Sequence, residues 1–310
     1  MTGPPDVSIV VCTYNRAPSL RLTLDALGAQ QTPPELAWEL VVVNNNSTDA
    51  TPAVVAAFAA GASIPVRSVF VAQQGLSFAR NAGLAQCRGA IVGFTDDDVQ
   101  PAPDWVARIA TVFDERKADI VGGRILPLWQ RPPPPSLEEA PFFHGAVAIM
   151  THPTPADIVD AYASPTVWGA NMAFRRSLFD QVGRFDTRLG VIRRKLYRGE
   201  ETNLVARAIA AGYRAVYDPR VLVWHRIGAD RIGIRYLSRL HFQRAEGEAL
   251  VHDGRPRYRF RSIPQRAWWW LAALLRARPN TLERWLDGCA AAGFMWGVTK
   301  RRLRKPPVPR

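Results

Sequence analysis

Val7-Ser-Ile-Val-Val-Cys12 runs directly into Thr13-Tyr-Asn-Arg16, and this stretch decides how the rest of the chain is read. A run of six residues interrupted by only one hydroxyl suits a strand buried on both faces; a half-exposed strand would alternate. A helical pattern follows from about Ser19, with Leu20, Leu24 and Leu27 on one face. The same unit then recurs. Residues 39–43 read as a second buried strand, with Asp49 or Thr51 placed to cap the helix behind it. Residues 66–71 form a third strand before a helix over 76–86. Residues 90–94 form a fourth before a helix over 103–115, and 119–122 a fifth. Repeated strand–helix units with apolar strands predict an α/β fold, Rossmann-like, with a mostly parallel central sheet flanked by helices.

Residues 125–165 lose this rhythm. They carry Pro132-Pro-Pro-Pro135 and then Pro141, Pro153, Pro155 and Pro165, which predicts a long surface excursion. Strand character returns over 167–174, a helix over 200–211, and two short strands over 215–217 and 221–224. Helices are predicted at about 230–252, 264–277 and 281–303. The expected organisation is an α/β domain over 1–228 and a C-terminal helical extension over 229–310.

Charge divides the chain at the same place. Of its 310 residues, the first 225 hold 21 basic and 21 acidic side chains, and the remainder hold 19 basic and 6 acidic, which accounts for the net +13. Such a segment suits an anionic surface, either nucleic acid or lipid head groups. No nucleic-acid motif accompanies the arginines, so a nucleic-acid partner is not expected. Three cysteines without metal-ligand spacing fit a reducing compartment. The apolar run after Asp6 is too short for a signal peptide, and no charge-free run approaches the roughly 18 residues a membrane span needs. The expected location is cytoplasmic, with at most peripheral attachment to the cytoplasmic face of the membrane.

Ligands of open parallel sheets bind beyond the carboxyl ends of the strands. Here those ends carry Thr13-Tyr-Asn-Arg16, Asn44-Asn-Asn-Ser-Thr-Asp49, Gly75-Leu-Ser-Phe-Ala-Arg-Asn81 and Asp96-Asp-Asp98. Three adjacent carboxylates repel one another unless a cation or donors offset them, and oxygen ligation suits Mg²⁺ or Mn²⁺. The plainer alternative, a cap for the following helix, needs only one carboxylate. No GxGxxG follows the first strand and no GxxxxGK[ST] occurs, which disfavours dinucleotide dehydrogenases and P-loop enzymes.

These four clusters, with Thr95-Asp-Asp-Asp98, Trp168-Gly-Ala-Asn-Met-Ala-Phe-Arg175, Gly199-Glu-Glu201 and His225, resemble family 2 glycosyltransferases of the GT-A fold over about residues 6–228. The resemblance implies metal-dependent, inverting transfer of a sugar from a nucleoside-diphosphate donor to a glycan or lipid-linked acceptor hydroxyl. It places this chemistry in bacterial polysaccharide, glycolipid or other cell-surface glycan synthesis. A single in-line displacement needs a base for the acceptor proton and a cation for the leaving diphosphate, but no covalent nucleophile.

The resemblance implies a DxD motif in which Asp96 meets the ribose or metal and Asp98 holds the cation, Mn²⁺ or Mg²⁺, with His225 as a further ligand. Asp97, Tyr14, Asn15, Arg16 and Asn46 belong to the nucleotide side, and Thr13 and Arg80 match positions that touch the nucleobase. Asn44 stands where many members have an Asp pairing with uracil. A UDP-sugar is favoured, and this departure leaves GDP- and dTDP-sugars open. Trp168, Gly169, Ala170 and Asn171 are placed at the sugar or acceptor, with core packing as the alternative for Trp168.

Glu201 is favoured as the base and Glu200 as its hydrogen-bonding companion, where the family often has Glu-Asp. The reverse assignment, and a purely electrostatic role at a helix N-terminus, remain as alternatives. For the tail, Trp268-Trp-Trp270 and Lys300-Arg-Arg-Leu-Arg-Lys305 suit peripheral binding of 264–310 to an anionic membrane, and packing on the α/β body with the charge solvated stands as an equal alternative.

Overall fold

The computed structural model describes residues 3–192, 195–251 and 281–304. Its first half alternates as expected: β1 (Val7–Thr13), α1 (Ala17–Gly28), β2 (Trp38–Asn44), α2 (Thr51–Gly61), β3 (Val66–Phe70), α3 (Leu76–Gln86), β4 (Ile91–Asp96), a short β5 (Val99–Pro101) and α4 (Trp105–Glu115). There follow β6 (Ile120–Trp129), α5 (Pro135–Glu138), α6 (Pro141–Val147), β7 (Ala156–Ile158), β8 (Met172–Arg175), α7 (Leu178–Val182), β9 (Val191–Ile192), β10 (Lys195–Leu196), α8 (Glu200–Ala210) and β11 (Ala215–Ile227). A 3₁₀ turn (Ala229–Arg231), α9 (Ile234–Val251) and α10 (Thr281–Arg304) complete the described chain.

The main sheet runs β3-β2-β1-β4-β8-β6-β11-β5, with β7 also on β11. The first four strands are parallel, and β8 inserts antiparallel between β4 and β6. Every residue of β1 and β2 is buried, as their apolar runs require. Leu20, Leu24 and Leu27 of α1 face the core at the expected spacing. Asp49 accepts from the amides of both Thr51 and Ala17, so one carboxylate serves the starts of α1 and α2.

Three expectations are corrected. The fifth strand extends to Trp129, because β11 pairs with it over its whole length and tolerates Pro127 where β8 has already ended. The two short strands expected at 215–217 and 221–224 are one, β11, whose register shift between Asp218 and Leu222 absorbs Pro219. The proline-rich stretch is not simply a surface excursion. Phe143 and Val147 of α6 are fully buried against Ile227, Leu237, Leu240 and Leu286, forming a second core that joins the stretch to the C-terminal helices. Residues on both sides of the expected 228/229 boundary thus share one apolar cluster.

Helix α10 lies on α9. Leu286 and Phe294 are buried, Trp285 Nε1 donates to Ser238 Oγ at 2.7 Å, and Lys300 Nζ reaches Glu246 Oε1 at 2.6 Å. The helices meet backbone to backbone: a Cβ on Gly293 would overlap the Phe242 carbonyl, and one on Gly297 would stand 2.6 Å from the Glu246 carbonyl. Gly293→Ala is therefore expected to cost about 1–3 kcal/mol as an overpacked contact, read as a lower midpoint in urea. Exposed Met295→Ala is the control that should leave the midpoint unmoved.

For this part of the tail, packing on the body is what the structure shows. The predicted helix at 264–277 and Trp268–Trp270 lie outside the described residues. Among the described residues no helix is long and apolar enough to cross a membrane.

Candidate active site

The order β3-β2-β1-β4 means the chain leaves β1 toward one edge and returns to its other side, opening a crevice at the carboxyl ends of β1 and β4. In-register pairing sets Cys12 beside Asp96. Thr13, Tyr14 and Arg16 therefore face Asp96–Asp98 across that crevice. They share a cavity of about 330 Å³ with Arg80, Trp168, Glu200, Glu201 and His225. Acidic groups a hundred residues apart in the chain thus meet around one space.

Two carboxylates of the triplet are tied down. Thr13 Oγ1 donates to Asp97 at 2.7 Å, while Arg16 Nη1 reaches Asp97 at 2.8 Å and Asp98 at 3.0 Å. Burial pushes Asp97 up to about 7 against the pull of Arg16, with Asp98 adding to the rise. Asp98 is equally buried, but His225, Arg231 and Arg16 overcome that penalty and hold it well below the usual carboxylate range. Arg231 Nη2 stands 3.0 Å from Asp98 Oδ2. Asp96 remains partly exposed toward the cavity.

Arg80 joins the triplet to the acid pair. From α3, its Nη1 donates to Glu200 Oε1 at 2.6 Å and its Nη2 approaches Asp96 at 3.4 Å. Gly169 makes room for it, since any Cβ there would collide with Nη2. The resemblance put Arg80 at the nucleobase; the structure sets its guanidinium between Asp96 and Glu200. The pair opens α8 after Gly199, whose φ of 96° turns the chain into the cavity. Burial, reinforced by the neighbouring Glu200 and opposed by Arg80, pushes Glu201 up to about 8, so the free protein holds it protonated at neutral pH. Glu200 Oε2 is buried without a hydrogen-bond donor.

Helix α6, from the stretch expected to be external, builds the far wall. Its last carbonyls have no partners within the helix. Val147 O accepts from His225 Nδ1 at 2.9 Å and Ala146 O from Arg198 at 3.0 Å, and Ala148 then leaves in a left-handed conformation (φ 55°). With Nδ1 as the donor, Nε2 of the ring is the acceptor, and Arg231 Nη1 donates to it. Nε2 lies 3.4 Å from Asp98 Oδ2 and 3.1 Å from Arg231 Nη1. Sequence reading missed Arg198, Arg231 and Tyr236, all of which line the cavity. For Arg231 the signal was the basic excess of the C-terminal segment, which suggested a surface; Arg198, in the charge-neutral part, and Tyr236 gave none.

Trp168, Gly169 and Ala170 line the cavity as expected from sequence, and the buried Trp168 Nε1 has no partner. Asn171 does not line it. Its side chain accepts from Trp105 Nε1 and donates to the carbonyls of Arg124 and Val221, a structural tie between strands. Asn15, Asn44 and Asn46 also stay outside the lining. Asn44 accepts from the Ser47 amide and Asn15 from the Thr48 amide, while Asn46 takes a left-handed φ of 68°. Their local preference for turn geometry is satisfied by the loops themselves.

Among the described residues no group of three or more His, Cys, Asp or Glu is arranged to hold a metal alone. Asp98 Oδ2 and His225 Nε2, 3.4 Å apart, are both held by Arg231, so a divalent cation would take them as ligands only by displacing that guanidinium, with its remaining ligands from Asp96, phosphate oxygens and water. This incomplete oxygen-rich set suits Mg²⁺ or Mn²⁺.

Comparison with known proteins bears on the fold and the family. The chain is 26% identical over 262 residues to glycosyltransferase AglE of Haloferax volcanii, covering 79% of each. Its fold matches a Pyrobaculum calidifontis mannosyltransferase solved with GDP-Man and Mn²⁺ (TM-score 0.56, 23% identity, 97% of this chain and 74% of that one). It also matches residues 1–349 of S. aureus TarS in complex with UDP (TM-score 0.53, 16% identity, 98% and 93%). Both are GT-A glycosyltransferases, and the mostly parallel sheet with its C-terminal helices has the same architecture. The model for glycosyl transferase family 2 matches residues 8–183, more than half of the chain, and the protein is a glycosyltransferase belonging to that family.

Proposed function

We propose that this glycosyltransferase works by inversion, moving a sugar from a UDP-sugar to an acceptor hydroxyl of a cell-surface glycan or its lipid-linked precursor. The observation that carries this reading is the single cavity in which Arg80 spans the Asp96 and Glu200 carboxylates. One guanidinium joining these two carboxylates supports a donor side and a proton-accepting side that act on one sugar carbon. A cation held by Asp98, His225 and Asp96 would offset the charge gathering on the departing diphosphate.

Each residue then has a chemical task. Glu201 accepts the acceptor proton as its oxygen attacks. Its raised pKa makes it a stronger base than an ordinary carboxylate once it is ionised. Glu200, fixed by Arg80, keeps one oxygen free to orient the acceptor or sugar. Trp168 offers a ring face and an unpartnered N–H to the sugar, while Gly169 and Ala170 allow close approach. Tyr14 and Thr13 stand on the nucleotide side. The TarS neighbour bound to UDP supports uridine, while the mannosyltransferase neighbour bound to GDP-Man and Mn²⁺ supports the cation and keeps guanosine as the second candidate base.

A thermal-shift panel tests this. With Mn²⁺ present, UDP should raise Tm more than GDP, dTDP or ADP. A nucleoside diphosphate at a hundred times its Kd adds about 2.7 kcal/mol to the folded state. If no nucleoside diphosphate raises Tm, the donor reading fails; a larger rise with GDP reassigns the base. NMR of the product from an α-linked donor should show a β linkage.

A further inference from the structure

We infer that the cavity holds, beside the acid pair, a binding site for a phosphate carried by the acceptor, with Arg198 as its cation. The inference rests on the reading that Glu200 and Glu201 face the acceptor, and it adds the class of molecule bearing the reactive hydroxyl: a phosphate ester.

Among the described residues four guanidiniums line the cavity. Arg16 pairs with Asp97 and Asp98, Arg80 with Glu200 and Asp96, and Arg231 with Asp98. Arg198 differs. No described carboxylate lies within ion-pair distance of it; its Nη1 donates to the Ala146 carbonyl at 3.0 Å and its Nη2 to the Tyr236 hydroxyl at 3.3 Å. Both partners are neutral, so they aim the side chain without cancelling its charge. A guanidinium carries five N–H donors in a rigid fork, and two are used here.

The chain places this cation next to the acid pair, while its anchor, the Ala146 carbonyl, adjoins the Val147 carbonyl that holds His225. Arg16 enters the cavity from the end of β1, beside Asp97 and Asp98. Arg198 enters from the segment leading into α8, two residues before Glu200. Val191, Leu196 and Tyr236 line the same cavity and carry no negative charge, and the nearby His241, whose ring feels the Arg198 charge, brings none. A half-buried cation with spare donors and uncharged hydrogen-bond partners favours a planar or tetrahedral oxyanion, and Arg matches phosphate through paired N–H bonds. A lipid phosphate and a soluble sugar phosphate share this chemistry.

The test is calorimetry on the full chain without divalent cation, titrating glucose 1-phosphate, glucose and decyl phosphate into wild type, Arg198→Gln and Arg198→Lys. Wild type should bind glucose 1-phosphate at least about tenfold more tightly than glucose. Arg198→Gln should lose that preference and Arg198→Lys should keep part of it. UDP affinity in Mn²⁺, measured separately, should stay within about twofold in both variants. Tighter binding of decyl phosphate than of glucose 1-phosphate identifies a lipid source, and the reverse a soluble one; either supports the site.

Unchanged phosphate affinity in Arg198→Gln overturns the inference. So does a loss of UDP affinity matching the loss of phosphate affinity, since the guanidinium would then serve the donor. Loss of the phosphate preference by Arg198→Gln at an unchanged Tm excludes misfolding as the cause and supports the site. Failure of wild type to bind any nucleoside diphosphate would instead overturn the transferase mechanism, a result distinguishable from failure at Arg198.

Discussion

Glu201→Gln is expected to lower kcat by about a thousandfold while leaving Mn²⁺-dependent UDP binding within about twofold of wild type. The side chain keeps its size and can still hydrogen-bond, but it cannot take a proton from the acceptor. In the free protein, burial and the adjacent Glu200 push Glu201 up to about 8. The active form is the ionised one, so kcat/KM of the wild type should rise with pH through that value, and the residual activity of the variant should not follow this curve.

The same shift has a signed effect on stability. A carboxyl whose pKa rises on folding binds more protons in the native state than in the unfolded one. Its stabilising contribution is complete below the ordinary value near 4.5 and is lost as pH climbs through about 8. Urea midpoints of the wild type should therefore fall between pH 6 and pH 9 by more than those of Glu201→Gln. A variant that keeps near-normal turnover would move the base to Glu200.

Asp98→Ala should also abolish transfer, by a different route: it should lose the Mn²⁺-dependent part of nucleotide binding. Asp98 faces His225 Nε2 at 3.4 Å and carries the charge that Arg16 and Arg231 balance. Removing it leaves two cations beside the crevice without their shared partner. Both have solvent access, and Arg16 keeps Asp97, so the fold should survive. The measurement is the Tm rise with UDP, with and without Mn²⁺, together with Mn²⁺ paramagnetic resonance. Wild type should gain the increment and show bound Mn²⁺; the variant should show neither. Retained Mn²⁺ binding would place the cation on other groups.

How far the chain could be read without coordinates depends on the range of the force involved. The strands at Val7 and Trp38 and the face of α1 were legible because burial leaves a repeat in neighbouring residues. The polar clusters were legible because strand ends in a parallel sheet point the same way. The asparagines misled for a related reason: Asn44 and Asn171 sit within motif matches, yet each spends its hydrogen bonds on local or interstrand ties. Proline density concealed α6, whose burial comes from partners on β11, α9 and α10 rather than from any repeat of its own.

By itself the sequence determined the α/β order, the sheet edge where polar groups gather and the presence of two acidic clusters, since backbone periodicity and strand polarity are local properties. Only the tertiary structure decided which charges meet. Arg80 pairs with Glu200 across 120 positions, Arg231 with Asp98 across 133, and the end of α6 orients His225 and Arg198 through two free carbonyls. Ion pairs and hydrogen bonds fall away over a few ångströms, so these contacts depend on how distant segments pack and leave no pattern in the linear order of residues.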